Sequence, residues 1–510
     1  MKAHVEDSGI SIVTLDTEIN HVVGRDTVNA AQPATGKEHT MSLWQGLKKY
    51  PCAMGWSILF STAIIMEGYD VVLLGTFFGF PAFQKRYGDP QPDGSYEMSA
   101  SWQSGLLMAM NVGQVLGLLL NGFVAERFGY RKTMMASLVL VVASIFLLFF
   151  AHNKEMLLVG ELLMGIPLGA FQTLSVTYAS EVCPAVRRAY LTTYVNACWV
   201  FGALIAVSVL RGFLDRTDEW AYRTPFALQW AWPIPIFSGT YLAPESPWLE
   251  SVPDSVEESE TIAMIVHTNA LEKEYESGTT YWDCFKAVNL RRTEITCLIW
   301  VSQTLCGAGL SGYSTYFYIQ AGLNPEMSFN MTLGQMGLGL FGVLLSWTLM
   351  AHFGRRPLWI GGLVALFALL MVIGFLSIVR ESSATSWAIG SMLLIFTFVY
   401  DATTGPICYS LVTEMPSTRL RTKTVVLART MFNITCIING LLTPHMLNPT
   451  SWNWRGKTGF FWAGFCALCT IWACFRLPEP KGRTYGELNV LFESRISARK
   501  FKSTIVDPFH

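Results

Sequence analysis

Charge is scarce in this chain. Of 510 residues only 14% are charged while 51% are hydrophobic, against roughly 25% charged in an ordinary soluble protein. Mean hydropathy is positive, +0.36, so a soluble enzyme is disfavoured and membrane insertion leads. The net charge of -1 offers no basic surplus to draw nucleic acid, which argues against a partner of that kind. The first 50 residues, polar and acidic from MKAHVEDSGI to MSLWQGLKKY, lack the apolar core of a cleaved signal peptide, so the N-terminus is expected to stay in the cytoplasm. Metal-ligand spacing is missing as well. The 11 cysteines are scattered through apolar segments, and although Cys466 and Cys469 form a CxxC, no second pair or nearby histidine completes a site. They read as small hydrophobes. With no nucleophile, metal or nucleotide constellation, neither an enzyme nor a cofactor is implied.

What the sequence has is long apolar runs. A helix needs about 20 apolar residues to cross the hydrocarbon core, and twelve stretches qualify: 55–80, 101–125, 132–152, 156–178, 190–212, 225–243, 293–320, 332–351, 358–379, 387–412, 424–447 and 457–476. Runs such as LLMAMNVGQVLGLLL exclude the alternation of a barrel strand. The expected fold is an all-α membrane protein. Lysine and arginine concentrate in AERFGYRK, PAVRR, GRRP and PSTRLRTK, after the second, fourth, eighth and tenth spans. These loops are therefore assigned to the cytoplasm together with both termini.

The chain divides into a tail (1–50), a first six-span bundle (51–248), a polar linker (249–292), a second bundle (293–476) and a closing tail (477–510). An apolar stripe at Ile262, Ile265, Val266 and Leu271, interrupted by Asn269, makes the linker a cytoplasmic helical segment. The halves repeat each other: GFVAERFGYRK is echoed by WTLMAHFGRRP, aligning Gly129 with Gly354, and LAPESPW by LPEPKGR. Two parallel six-span repeats joined by a linker suit alternating access around a midplane site. At the helix ends Glu126, Arg127, Arg131 and Lys132 can bridge neighbours in one conformation and release them in another. The same gating role is expected of Glu181, Arg188, Arg355, Arg356, Glu414 and Arg419 in the related turns.

Two acids interrupt the first run, IIMEGYDVVLLG: Glu67 and Asp70. A charged side chain at the bilayer centre costs about 2.5 to 3.5 kcal/mol on insertion scales, so such acids are functional candidates. At i and i+3 they share one helix face, which must look into the bundle.

ERFGYRK, YASEVCPAVRR, PESPW, GRRP, GPICYSLVTEMPSTRLRTK and PEPKGRT together resemble the sugar porter branch of the major facilitator superfamily. EGYD, SEVCPAVRRAYLTTYVNACWVFG, PFALQWAWP, GTTYWDC, GYSTYFY and ARKFKSTIVDPF are similar to the fungal maltose permeases. The resemblance implies the twelve-helix major facilitator fold and a proton-coupled α-glucoside transporter of the plasma membrane. Its partners would be a sugar, a proton and surrounding lipid, with no obligate protein partner. It further implies that Asp70 marks proton coupling, with an arginine partner in a Gly-Arg-x-x-x-Gly motif of the fourth span. Here that motif reads GELLMG, with Glu161 in place of the arginine. If Asp70, Glu67 and Glu161 meet in a poorly solvated cavity they cannot all ionise, and they share protons as a group. Arg429, expected at the cytoplasmic start of the eleventh span, is the candidate counter-charge. Gln114 stands where relatives often carry glutamate.

By the same resemblance Asn196, Gln303, Tyr409 and Asn433 contact the sugar. Thr304 replaces a second glutamine, and Tyr313 and Tyr316 line an outer gate where Tyr313 also meets substrate. Gly405-Pro406 is expected to break the tenth span. The alternatives are a facilitative uniporter and a non-transporting sensor; the 34 residues after Arg476 are a short tail for the latter.

Overall fold

The computed structural model describes residues 3–5, 11–14, 51–91, 94, 96–182, 185–243, 280–320, 322–379, 382–417, 420–448, 451–483 and 485–507. The linker stripe, Ile262 to Leu271, lies outside the described residues. Eleven of the described helices are long and apolar enough to cross a membrane. They match eleven of the twelve expected spans, most of them starting earlier because polar first turns precede the apolar core that hydropathy detects, while four stop short of the expected end.

The sixth crossing is the exception. Instead of one helix it is a helix at Trp220–Leu228, a 3-10 turn at Gln229–Ala231 and a second helix at Pro233–Leu242. Pro233 and Pro235 lack backbone donors, so the helix cannot run unbroken through this stretch. The break leaves Gln229 buried in the bundle.

Two other spans bend where function would need it. The seventh runs Ala287–Gln303, passes through a π-turn at Thr304–Ala308 and resumes as short helices. Gly307, at φ +97°, takes a conformation that other residues rarely adopt. The bend falls at Gly307, ahead of Tyr313 and Tyr316. The tenth span stops at Ala402 and restarts at Thr404, with Thr403 at φ -130°, ψ -90°. Pro406 has no N–H for the carbonyl four residues back, that of Ala402, so the interruption precedes Gly405.

Close packing sets the acid-bearing helix against the fifth span. A Cβ on Gly68 would lie 2.1 Å from the Trp199 carbonyl oxygen, and one on Gly202 would lie 2.2 Å from that of Ile65. Small residues allow such backbone approach in membranes. The two halves meet at several levels. Arg211 at the end of the fifth span pairs with Glu326 at 2.6 Å and donates to Asn330 Oδ1 at 2.9 Å. Tyr316 donates to Glu97 at 2.8 Å, where Glu97 ends a small hairpin in the first loop. These contacts join the halves at one end of the bundle.

Short strands depart from the all-helical expectation. Ala3–Val5 pairs antiparallel with Ser11–Thr14, which runs parallel to Ile505–Asp507.

Candidate functional site

Glu67 and Asp70 both lie on the helix at Ile64–Phe77, and both are buried. One turn apart, they meet different surroundings. Glu67 is tied into the second half of the molecule. Arg429 Nη2 lies 3.2 Å from its Oε1, and the Gln172 amide donates to the same oxygen at 2.6 Å. Gln172 Oε1 in turn accepts from Arg429 Nε at 2.8 Å and from Asn433 Nδ2 at 3.2 Å. The Arg429 guanidinium also lies 4.3 Å from the Trp300 ring and 4.2 Å from the Phe432 ring, two rings that meet edge to face. A desolvated cation over an aromatic face gains about 2 kcal/mol or more, which helps hold a charge in a nearly dry bundle. The eleventh span begins at Arg421, so Arg429 sits about 12 Å along the helix. The expected position at its start is corrected by that distance.

Asp70 keeps to its own half. Its Oδ1 accepts from Gln229 Nε2 at 2.8 Å, and its Oδ2 has no partner among the described residues. Glu161 is fully buried, has neither carboxylate oxygen bonded, and feels the charge of Asp70. Among the described residues no cation pairs with either acid. Arg429 thus answers Glu67 rather than Asp70, and the expected group of three acids divides into a bridged one and an unbridged pair. Gln114 is buried with its amide nitrogen unpartnered.

The expected sugar contacts fall into two sets. Asn433 and Tyr409 lie with Arg429: Tyr409 meets Trp300 edge to face at 4.9 Å, and Trp300 carries the guanidinium. Gln303 and Asn196 meet around the break in the tenth span, where Gln303 donates to the Gly405 carbonyl at 3.2 Å and Asn196 to Asp401 at 3.3 Å. Among the described residues Gln303 Oε1, Asn433 Oδ1 and the Tyr313 hydroxyl are buried without partners, leaving donor and acceptor capacity of the kind a sugar uses. Thr304 approaches Cys436 Sγ at 3.7 Å.

Sequence reasoning missed Gln172, Gln229, Trp300 and Asp401. Asp401, an acid within FTFVYDATTG, carried the same signal as Asp70. The two glutamines are ordinary polar residues in apolar runs, and nothing in the sequence marks which acid each one meets.

At the helix ends, Arg355 pairs with Glu414 at 3.4 Å, while its backbone N–H and that of Arg356 donate to Glu479 at 3.0 and 3.1 Å. Arg356 also reaches the Cys474 carbonyl at 2.9 Å. This cluster ties the second bundle to the closing tail. Arg131 stacks on Tyr241 at 5.3 Å within the first half, and Arg127 is exposed beside Phe128. Arg419 and the side chains of Glu126, Glu181 and Arg188 lie outside the described residues.

Two six-span halves, helices broken beside buried polar groups and acids joined across the half interface define a membrane transporter of the major facilitator fold. Its architecture matches a proton:xylose symporter, XylE, bound to 6-bromo-6-deoxy-D-glucose (TM-score 0.71, 18% identity, covering 87% of this chain and 99% of that one). It also matches the inward-open xylose transporter XylE from E. coli (TM-score 0.65, 20% identity, covering 86% and 99%). The chain belongs to the sugar (and other) transporter family, which matches residues 56–492; it is a multi-pass membrane transporter and not an enzyme. It is 41% identical to the general alpha-glucoside permease of Saccharomyces cerevisiae over 514 residues, 96% of this chain and 83% of that protein. It is likewise 41% identical to the maltose permease MAL61 of the same species over 508 residues, 95% and 83%.

Proposed function

We propose that this protein imports an α-glucoside, maltose or a related sugar, together with protons across the plasma membrane by alternating access, with both termini in the cytoplasm. The observation that carries the reading is the buried chain Glu67, Gln172, Arg429 and Asn433, which joins an acid of the first half to a hydroxyl-matching amide of the second. Near-complete coverage by alpha-glucoside and maltose permeases supports the substrate class.

In this reading 51–248 and 293–476 rock as bundles about the site, 249–292 links them, and 1–50 and 477–510 are cytoplasmic tails. Asp70 is the principal proton carrier, with Glu161 beside it, while Glu67 and Arg429 form an ion pair that opens and closes with the halves. Gln303, Asn433, Asn196, Tyr409 and Tyr313 hold the sugar. Arg127, Arg131, Arg355, Arg356 and Glu414 act at the cytoplasmic ends, as do Glu126, Glu181, Arg188 and Arg419. Tyr316 with Glu97, and Arg211 with Glu326, shut the outer end. The protein works as a single chain and needs neither nucleic acid nor a cofactor.

A facilitative uniporter is the competing reading, because Glu67 already has a fixed partner in Arg429. Uptake by a transport-deficient yeast across a panel of α-glucosides and monosaccharides, with external pH recorded, separates the two. Symport predicts that an accepted sugar alkalinises the medium and that a protonophore abolishes accumulation. Uptake without alkalinisation and indifferent to protonophore would establish the uniporter.

A further inference from the structure

Asp401 is a buried acid that the proton route does not use. It sits one residue before the end of the helix Ser383–Ala402, where the tenth span breaks. The whole crossing runs Ala384–Glu414, so Asp401 lies near its middle, at the depth where an alternating-access protein holds its substrate. Local structure gives no reason for an acid here. A carboxylate in the last turn of a helix faces the negative end of the helix dipole. Its one hydrogen bond among the described residues comes from Asn196 Nδ2, a neutral amide at 3.3 Å, and among the same residues no cation pairs with it. A single long bond to an amide recovers only a small part of what it costs to bury an acid in a membrane. Adhesion between helices therefore leaves the carboxyl unaccounted for.

The neighbouring backbone makes room for it. A Cβ on Gly339 of the eighth span would lie 2.6 Å from Asp401 Oδ2, and one on Gly405 would lie 3.3 Å from Oδ1. The Gly405 carbonyl accepts from Gln303 at 3.2 Å, so Asn196, Asp401 and Gln303 gather around the break. Both bonds lie at the long end of the hydrogen-bond range. A ligand displaces them at little cost. A sugar hydroxyl donates one hydrogen and accepts on two lone pairs. Asn196 supplies a donor and Asp401 an acceptor side by side, so one hydroxyl can use both at once.

We propose that Asp401 is a specificity-determining residue of the sugar site, accepting the hydrogen of one sugar hydroxyl whose oxygen is held by Asn196. The two side chains come from different halves, so that hydroxyl is gripped from both. A site built to bond a hydroxyl rejects the analogue lacking it far more strongly than an apolar pocket rejects a missing methylene. Asp70 keeps the coupled proton, and Asp401 carries none. The inference rests on the transport reading above, in which Asn196 meets the sugar.

The test uses the full-length chain in a transport-deficient yeast and compares wild type with Asp401→Leu, which keeps the bulk, removes both acceptors and suits a membrane helix. Three quantities are measured: the half-saturating concentration of maltose, the inhibition of its uptake by deoxy and deoxyfluoro maltoses altered at each hydroxyl of the non-reducing glucosyl unit, and the protons taken up per sugar. Loss of a hydrogen bond to a carboxylate predicts that the half-saturating concentration rises about 10-fold or more. In wild type one position should stand out: its deoxyfluoro analogue, which cannot donate, should inhibit about 10-fold or more weakly than the parent sugar. In Asp401→Leu the gap at that position should close, the other positions keep their order, and the proton ratio at saturating sugar stay as in wild type. A merely structural role would shift every position alike, and that result overturns the proposal. So does an analogue profile identical to wild type, or a fallen proton ratio with the half-saturating concentration unchanged. Should Asp401→Leu not reach the cell surface, Asn196→Ala decides: the deoxy penalty at one position should shrink, and a wild-type profile overturns the proposal. A wild type that carries no maltose removes the substrate reading and the proposal with it, whereas maltose uptake in wild type beside an unaltered Asp401→Leu profile removes Asp401 alone.

Discussion

Glu67 and Asp70 share one helix face, and their neighbours give them opposite characters. Glu67 has a guanidinium at 3.2 Å and an amide at 2.6 Å, both reached across or toward the interface of the halves. Asp70 has a single neutral amide at 2.8 Å from the broken sixth span and a second acid, Glu161, for company. The comparison teaches that burial alone does not define a proton site. A carboxylate locked to a cation keeps its charge while the lock holds, whereas one of two like acids in a dry site must give its charge up.

The largest change should come from removing the lock. Arg429→Ala leaves Glu67 buried without a cation, a loss of about 3 to 5 kcal/mol for a broken buried pair. Uptake and surface expression should both collapse. Arg429→Ala together with Glu67→Gln should recover expression, and surface labelling of the two variants side by side checks this.

A smaller effect is expected from Gln303→Ala, which removes a donor buried against the Gly405 carbonyl. An unsatisfied buried group costs about 1 to 3 kcal/mol. The half-saturating sugar concentration should rise many-fold with proton coupling intact, and uptake kinetics with external pH recording would show whether sugar binding separates from coupling in this way.

Next comes the unbridged pair. Glu161→Gln keeps the bulk of the buried acid beside Asp70 and leaves Asp70 as the one carboxyl of the pair. With Asp70 as the carrier, sugar-induced alkalinisation and accumulation should persist in this variant, and external pH recorded during uptake would check it.

The smallest effect is expected outside the membrane, at Asp283. Its carboxyl accepts from Lys286 and from the backbone of Thr280, bonds that hold it below the usual carboxylate range, at about 2. A carboxyl lowered in this way contributes its stability above its ordinary value and loses it only as pH falls towards about 2. Between about pH 5 and 7 it stays ionised, so Asp283→Asn should leave the shape of the uptake profile unchanged.

Much of this could be read in the sequence because the bilayer imposes it. Twenty apolar residues are needed for each crossing, so the spans announced themselves, and the proline at Pro406 announced the break in the tenth. The sixth span was harder to read: PFALQWAWPIP has the hydropathy of one helix, and Pro233 and Pro235 divide it in two. The acids were legible as exceptions to grease. Their partners were not, since pairing depends on which helices pack together. Gln172 and Glu67 are 105 residues apart, and Arg429 and Glu67 are 362 apart. Position matching named Arg429 as a counter-charge, but only packing assigned it to Glu67. It also showed that Asn196 meets Asp401, an acid the sequence displayed as openly as Asp70.

The central claim is that Asp70 carries the coupled proton while the Glu67–Arg429 pair joins the halves. The most direct measurement compares Asp70→Asn with wild type, recording sugar counterflow at equal pH and sugar-induced alkalinisation in the same cells. The account predicts that Asp70→Asn retains counterflow and loses both alkalinisation and uphill accumulation. Wild-type accumulation and alkalinisation in that variant would contradict it.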